Sequence, residues 1–477
     1  MEATEVTRSP SFPRIVATAV ASAVLAGCNL GPAYQRPQMP APAQYRFVDG
    51  PAQAESMADM KWWQVFDDPA LQSLIREAIA NNLDLRVAAA RVEEARARAG
   101  IAKSFLYPQV DGVAGYSIRQ ATNAPVTEDD PNGDTTHQSG TYGFRLSWEL
   151  DLFGRIRKER DAALAIVLAT EQGRRGVMVT LVADTATNYF LLRELDTQLQ
   201  VSRDTLGLND QTVAYFRNRL EGGVSNRLEL DQAIANRSQT AAAIPDLERQ
   251  IGIVENAIDM LLGRLPGPIT RPSAGPMEEL PPSIPPGMPA SLLERRPDVL
   301  QAEELLVAAN ADVGAAKALF YPQISLTGFL GGISGDLTSF LGGSGGVWSL
   351  ATGLLQPIYN GGRIKSNYEA MQARYTAAVA EYQKAALNGY RETANALITI
   401  QKLAQMRVEI QSGVTVLQDA SDLSRARYDS GLANYLEIIL ADQSLFRQQL
   451  LLAQTRGAEL RARAELYRTL GGGWQEQ

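Results

Sequence analysis

Apolar and polar positions alternate most cleanly over residues 141–150. Tyr142, Phe144, Leu146, Trp148 and Leu150 share one face; Thr141, Gly143, Arg145, Ser147 and Glu149 share the other. A period of two over this length predicts a strand with one apolar face. A weaker set, Val110, Gly112, Ala114, Tyr116 and Ile118, predicts its partner. The four strands expected are 109–119, 141–150, 323–331 and 347–356. The loops within the two pairs are turn-rich: 122–140 holds Pro, Asn, Asp and Gly, and 332–346 holds six glycines. His137, the chain's one histidine, falls in the first and reads as a loop residue.

Around the strands the pattern is helical. Leu85–Phe105 and Asp298–Leu319 precede the strand pairs and stop at Tyr-Pro, where proline ends a helix. After the strands, Arg155–Leu220 and Ile364–Ser430 contain no proline. At 1.5 Å per residue each run spans roughly 100 Å. Both end at glycine, Gly222-Gly223 and Gly431, a C-cap signal. A second helix restarts at once, with Asn226 and Glu229, or Asn434 and Glu437, suited to N-cap and third-position roles. Two long helical hairpins, 155–262 and 360–470, are therefore expected, with coiled-coil or helical-barrel packing.

The two patterns are one pattern repeated. Tyr107-Pro108-Gln109 returns as Tyr321-Pro322-Gln323, 214 residues on. Gly154-Arg155-Ile156 returns as Gly362-Arg363-Ile364, and Gly223-Val224-Ser225-Asn226 answers Gly431-Leu432-Ala433-Asn434, both 208 residues on. A duplicated unit of about 210 residues follows. The expected organisation is a signal segment 1–27, an anchored extended segment 28–62, repeat one 63–265, a linker 266–296, repeat two 297–470 and a tail 471–477. The stretch from Pro266 to Pro297 holds ten of the chain's 24 prolines, hence an irregular linker band.

Strands of about ten residues can cross a bilayer when tilted, but four cannot close, and lipid tolerates no open edge. Two chains would supply about eight strands and a filled lumen; three would supply about twelve and a channel. The bulk numbers narrow partners. A net charge of −8 argues against nucleic acid and against a basic lipid-binding patch. One Cys and one His exclude Cys/His metal clusters and an internal disulfide. No catalytic triad, phosphate loop or zinc spacing appears: Gly342-Gly343-Ser344-Gly345-Gly346 lacks the following lysine. An enzyme is not expected.

The apolar run Ile15–Leu25 has the length of a signal-peptide core and is too short to span. Leu25-Ala26-Gly27-Cys28 follows, resembling a lipoprotein cleavage box, with the only cysteine as the acylation site. Asn29 stands where an aspartate would resemble an inner-membrane retention signal, so the outer membrane is expected. Residues Pro32, Pro37, Pro40 and Pro42 then make an extended tether.

Trp62-Trp63-Gln64-Val65-Phe66-Asp67-Asp68-Pro69, Asn82-Leu83-Asp84-Leu85, Arg295-Arg296-Pro297-Asp298, the Tyr-Pro-Gln pair and Leu470-Gly471-Gly472-Gly473-Trp474 together resemble the TolC-like outer membrane factors, in their lipidated NodT/OprM-type branch. The resemblance implies a mainly α protein with membrane β structure: a homotrimer whose 12-stranded barrel, four strands per chain, continues into an α-helical periplasmic barrel. It implies N-acyl and S-diacylglycerol groups on Cys28 and no other cofactor. It implies partners in a periplasmic adaptor (membrane fusion protein) and a proton-driven inner-membrane transporter, and a role as a passive exit duct in multidrug resistance.

By motif match the periplasmic gate falls on Arg427, Tyr428, Leu436 and Glu437, and the adaptor-contact tips on Gly223, Val224, Ser225, Gly431 and Leu432. A second acidic position of the family is Leu440 here, so a more apolar gate is expected. Asp442 lies about 200° round a helix from it and cannot substitute. Glu437 also fits a capping role, and the tip glycines also fit simple helix termination. A type I secretion duct and a lipid-anchored coiled-coil structural lipoprotein are the alternative functions.

Overall fold

The computed structural model describes residues 30–45, 60–61, 65, 68–121, 135–224, 226–272, 287, 289–334 and 346–472. Cys28, the signal segment, Ser225, Trp62, Trp63 and Trp474 lie outside the described residues. The elements run α1 (Pro69–Asn81), α2 (Leu83–Ser104), β1 (Gln109–Ala121), β2 (Thr135–Leu150), α3 (Arg155–Glu221), α4 (Arg227–Leu261), α5 (Leu292–Arg295), α6 (Pro297–Ala318), β3 (Gln323–Ser334), β4 (Gly346–Leu355), α7 (Arg363–Asp429) and α8 (Tyr435–Thr469). The repeat is visible in their lengths: α2 and α6 have 22 residues each, α3 and α7 have 67, and α4 and α8 have 35.

The chain forms two compact units. The first contains the sheet, with Val92–Ala169, Ala302–Glu381 and the N-terminal residues to Pro37. Its four strands run β1-β2-β3-β4, each antiparallel to the next. The register aligns Gly112, Phe144 and Leu330, with Trp348 opposite Leu330. Alternation therefore carries one apolar face across all four strands. The opposite face carries the row Asp111, Arg145, Phe329 and Ser349. β2 and β3 are in close contact at Gly143 and Gly331, where a Cβ on Gly331 would stand 2.0 Å from the Tyr142 carbonyl oxygen. The edges, β1 and β4, have no strand partner among the described residues.

The Tyr-Pro-Gln motifs are joints between helix and strand. The Gln109 amide donates to the carbonyls of Ser104 (2.9 Å) and Tyr107 (3.1 Å), satisfying acceptors left over at the end of α2. Trp148 Nε1 donates to Leu106 O at 3.1 Å, and Gln356 donates to Phe320 O at 3.2 Å. Past β2, Arg155 grips Glu149 with two nitrogens (3.1 and 2.7 Å). Phe153 stacks on Tyr321, ring centres 5.1 Å apart.

The N-terminal segment lies along α6. Gly31 abuts Gly314, Asn310 Nδ2 donates to Pro32 O (3.1 Å), and Tyr34 and Arg36 both reach Glu303 (3.1 and 2.7 Å). From 303 to 314 a helix rises about 16 Å, and five extended residues cover about the same distance. The strap and the helix are thus in step, antiparallel.

The second unit comprises Gln38–Arg91, Thr170–Gln301 and Tyr382–Gln477. Val182, Thr185, Tyr189 and Leu192, buried at spacings of three and four, form the seam of α3. They pack with Leu71 and Ile75 of α1, Ile258 of α4 and Tyr467 of α8. Each fully buried large side chain contributes up to about 1.5–3 kcal/mol. Asp68 caps α1, accepting from Ala70 N and Leu71 N, and its other oxygen accepts from the Tyr189 hydroxyl at 2.6 Å. Arg296 of the Arg-Arg-Pro-Asp motif is buried. It donates to Asp298 (3.0 and 2.7 Å), Glu392 (2.9 Å) and the Thr469 carbonyl (2.9 Å), tying α6 and α7 to the end of α8.

Three sequence expectations need revision. β2 begins at Thr135, not 141, so His137 pairs in register with Arg119 within the strand rather than sitting in a loop. Residues 135–140 are polar on both faces, so alternation gives no sign of them, whereas backbone pairing needs none. β1 and β3 likewise run on to Ala121 and Ser334. The last part of the proline-rich 266–296 segment is ordered into a 3₁₀ turn, Pro289–Ser291, and α5, with Leu292 buried.

Candidate functional site

The two hairpin tips have one backbone design. At the first, Gly223 takes φ +73°, Gly223 N donates to Leu220 O (3.0 Å) and Val224 N to Arg219 O (2.9 Å). At the second, Gly431 takes φ +73°, Gly431 N donates to Tyr428 O (2.9 Å) and Leu432 N to Arg427 O (2.8 Å). These paired bonds close the last helical turn, and the left-handed residue favours glycine. A Cβ at either glycine would meet no atom within 4 Å, so conformation alone explains both. The following helices open alike: Asn226 and Asn434 side chains accept from the backbone of Glu229 (3.0 Å) and Glu437 (3.3 Å). Val224 and Leu432 are exposed.

The side chains differ. Phe216 of α3 is buried against Tyr435 (ring centres 4.2 Å) and Tyr428 (6.0 Å), joining the two hairpins, with Val213, Ala233, Ile438 and Ile439 around them. The Arg219 guanidinium stands 5.4 Å from the Tyr215 ring and 5.8 Å from the Tyr428 ring. It also donates to the Tyr215 hydroxyl at 2.7 Å. Burial, followed by the nearby Asp442 carboxylate, pushes the Tyr435 phenol up to about 12.

The sequence-predicted gate residues separate into two groups. Tyr428 belongs to the aromatic cluster. Arg427, its neighbour, turns away to its own hairpin: it reaches Leu432 O at 3.5 Å and stands 3.9 Å from Glu437, half-exposed. Leu436 and Leu440 are exposed, 49% and 56%, one turn apart on α8. Asp442 is engaged within its hairpin, accepting from Ser421 (2.5 Å) and Arg425 (2.8 Å). Sequence reasoning missed Arg219, Tyr215, Phe216 and Tyr435. The signal was available, since Arg219 precedes Arg427 by the same 208 residues as the other repeat matches.

Behind the cluster lies a buried polar layer. Asn209 donates to Thr240 (3.0 Å), Asn236 to Asn209 (3.2 Å) and Gln443 to Asn236 (3.0 Å). Such a layer specifies the register of packed helices. Among the described residues no His, Cys, Asp or Glu group is arranged to hold a metal, and no helix is long and apolar enough to cross a membrane.

Comparison with known proteins assigns this architecture. Residues 74–264 and 288–472 match the outer membrane efflux protein family. The chain is 33% identical over 470 residues to the probable efflux pump outer membrane protein TtgC of Pseudomonas putida, covering 97% of this chain and 96% of that one. It is 33% identical over 458 residues to the probable outer membrane lipoprotein SilC of Salmonella typhimurium, covering 95% and 97%. The solved outer-membrane channel OprN superposes with a TM-score of 0.85 at 28% identity, covering 94% of this chain and all of that one. The chain belongs to the outer membrane efflux protein family, a family of channel proteins, and is an outer-membrane channel of an efflux system.

Proposed function

We propose that three copies of this chain close a twelve-stranded barrel in the outer membrane and continue it as a helical tunnel into the periplasm. The observation that carries this reading is the sheet: one continuous apolar face, an opposite face that carries the charged and most of the polar side chains, and two edges with no strand partner among the described residues. In hydrocarbon a bare edge is untenable, and edge-to-edge pairing between copies in a ring removes every edge. The polar face then lines a water-filled bore. Transport through it is passive. An inner-membrane, proton-driven transporter supplies the work through a periplasmic adaptor, and the choice of cargo lies with that pump.

The gate lies at the second tip. Three-fold symmetry gathers exposed Leu436 and Leu440 of each chain into an apolar constriction, with Glu437 beside it, held loosely by Arg427. The adaptor seats on the hairpin tips, at exposed Val224 and Leu432 and at Ser225, with Gly223 and Gly431 turning the chain. The lipid sits on Cys28. Gly31, three residues later, is fixed beside Gly314 near the end of α6, and β3 starts at Gln323. The acyl chains therefore enter the leaflet at the base of the barrel, as a supplement to the anchorage that the barrel itself supplies.

The test is planar-bilayer recording of the purified protein. The expected result is discrete conductance that rises on Leu436→Ala and whose cation preference falls on Glu437→Ala. Absence of any conductance from a heat-resistant trimer would refute the channel. Unchanged conductance and selectivity in both variants would move the gate elsewhere.

A further inference from the structure

The internal repeat has an unmatched contact. In the first copy the turn after β2 carries Leu152-Phe153 just before Gly154-Arg155-Ile156. Phe153 stacks on Tyr321, the tyrosine of the Tyr-Pro-Gln joint that opens the next strand, β3; their rings are 5.1 Å apart and inclined by 24°. In the second copy the turn after β4 carries Ile358-Tyr359, ahead of Gly362-Arg363-Ile364. There the next strand is missing, because β4 is an edge. Tyr359 is 91% exposed and Ile358 90%.

The unmatched acceptor lies at the other edge. Tyr107 is the first-copy counterpart of Tyr321, opens β1 and is 58% exposed. Within each copy the joint-to-strand contacts are complete: Trp148 reaches Leu106 O and Gln356 reaches Phe320 O. What one chain lacks is the forward contact from the second copy to a following first copy.

We infer that Tyr359 of one chain stacks on Tyr107 of the next chain in the ring, making between chains the contact that Phe153 and Tyr321 make within one. This rests on the ring proposed above. It is continuous with the edge pairing there, since Tyr107 lies two residues before β1 and Tyr359 four residues after β4. Nothing in the turn opposes it. The turn adds Asn360 and Gly361 relative to the first copy. Gly361 takes φ +58°, a left-handed backbone that glycine adopts without strain, while Gly362 (φ +85°) repeats Gly154 (φ +78°). Stacked aromatic pairs are favourable beyond the area they bury. The contact is head-to-tail, so each added chain offers a fresh Tyr359 until the ring closes.

The experiment uses the full chain in native outer membranes, with Cys28 retained. A Tyr107→Cys, Tyr359→Cys double variant is treated with a short bifunctional thiol reagent. The expected result is a ladder of two and three linked chains, with each single variant and the parent giving only monomer. A lysine-directed reagent is run in parallel. If it captures trimers while the thiol ladder is absent, the ring stands and the aromatic clasp is overturned. If neither reagent captures multimers, the ring reading itself falls. As a second measurement, a photo-crosslinking residue at 359 should capture the 105–109 segment of another chain. Capture of lipid alone would overturn the clasp in favour of a membrane-interface role for Tyr359. Tyr359→Phe should keep the heat resistance of the trimer, and Tyr359→Ala should lower it.

Discussion

The two hairpin tips share a backbone and differ in what they carry. Both end in the same glycine turn and restart from the same asparagine cap. At equivalent positions, however, Phe216 is replaced by Ser424, Arg227 by Tyr435, and Ile234 by Asp442. The first tip supplies Phe216 and the cation Arg219; the second supplies the rings of Tyr428 and Tyr435 that receive them. Duplication gave two equal scaffolds, and divergence made their surfaces complementary. The lesson is that turn geometry and tip chemistry are separately encoded. The one needs a single glycine, the other a set of side chains two helices apart.

The largest test of that contrast is Phe216→Ala. Removing a fully buried ring should cost about 3–5 kcal/mol in thermal unfolding of the solubilised protein and raise single-channel conductance by loosening the tip. Its counterpart Ser424→Ala should cost no more than about 1 kcal/mol. Equal losses would mean that the aromatic cluster is not the bond between hairpins.

Next comes pH. The Tyr435 phenol, raised to about 12, binds its proton more tightly folded than unfolded. Its contribution is therefore complete below about 10, the ordinary tyrosine value, and is lost as pH rises toward 12. Burial also raises Tyr45, Tyr390 and Tyr428, so absorbance titration should show a late-ionising group of tyrosines whose amplitude Tyr435→Phe lowers by one.

Gly223→Ala and Gly431→Ala should then each cost about 1–2 kcal/mol, and equally, since both glycines have the same φ and open space around them. A large difference in urea midpoint would show that one tip makes a contact the other lacks. The smallest effect separates the two arginines. Arg219→Ala should cost about 1 kcal/mol through its lost ring contacts. Arg427→Ala should fall below that, because its pairing with Glu437 is long and half-exposed.

Much of this architecture was legible in the chain. Helices of 67 residues follow from proline-free runs closed by glycine, and the repeat follows from three matched motifs. Asp442, which helix geometry sets about 200° round from Leu440, is bonded to Ser421 and Arg425 of its own hairpin. What failed did so for physical reasons. Thr135–Gly140 pairs through its backbone, and its side chains give no two-sided pattern to read. The cation over the Tyr428 ring, Arg219, comes from the other hairpin, a contact that no adjacency in sequence could announce. The Arg-Arg-Pro-Asp motif advertised a family, but its task, a buried guanidinium holding the last turn of α8, needed coordinates.

The glycine turns have a consequence for how such a protein changes over generations. Because each turn is specified by one residue whose surroundings are empty, the neighbouring tip positions Val224 and Leu432 carry almost none of the folding requirement. Drift there is nearly free of structural penalty. A lineage can therefore rewrite the words it shows to a partner while leaving the grammar of the hairpin intact, so that new partnerships can be tried without first surviving a misfolded intermediate.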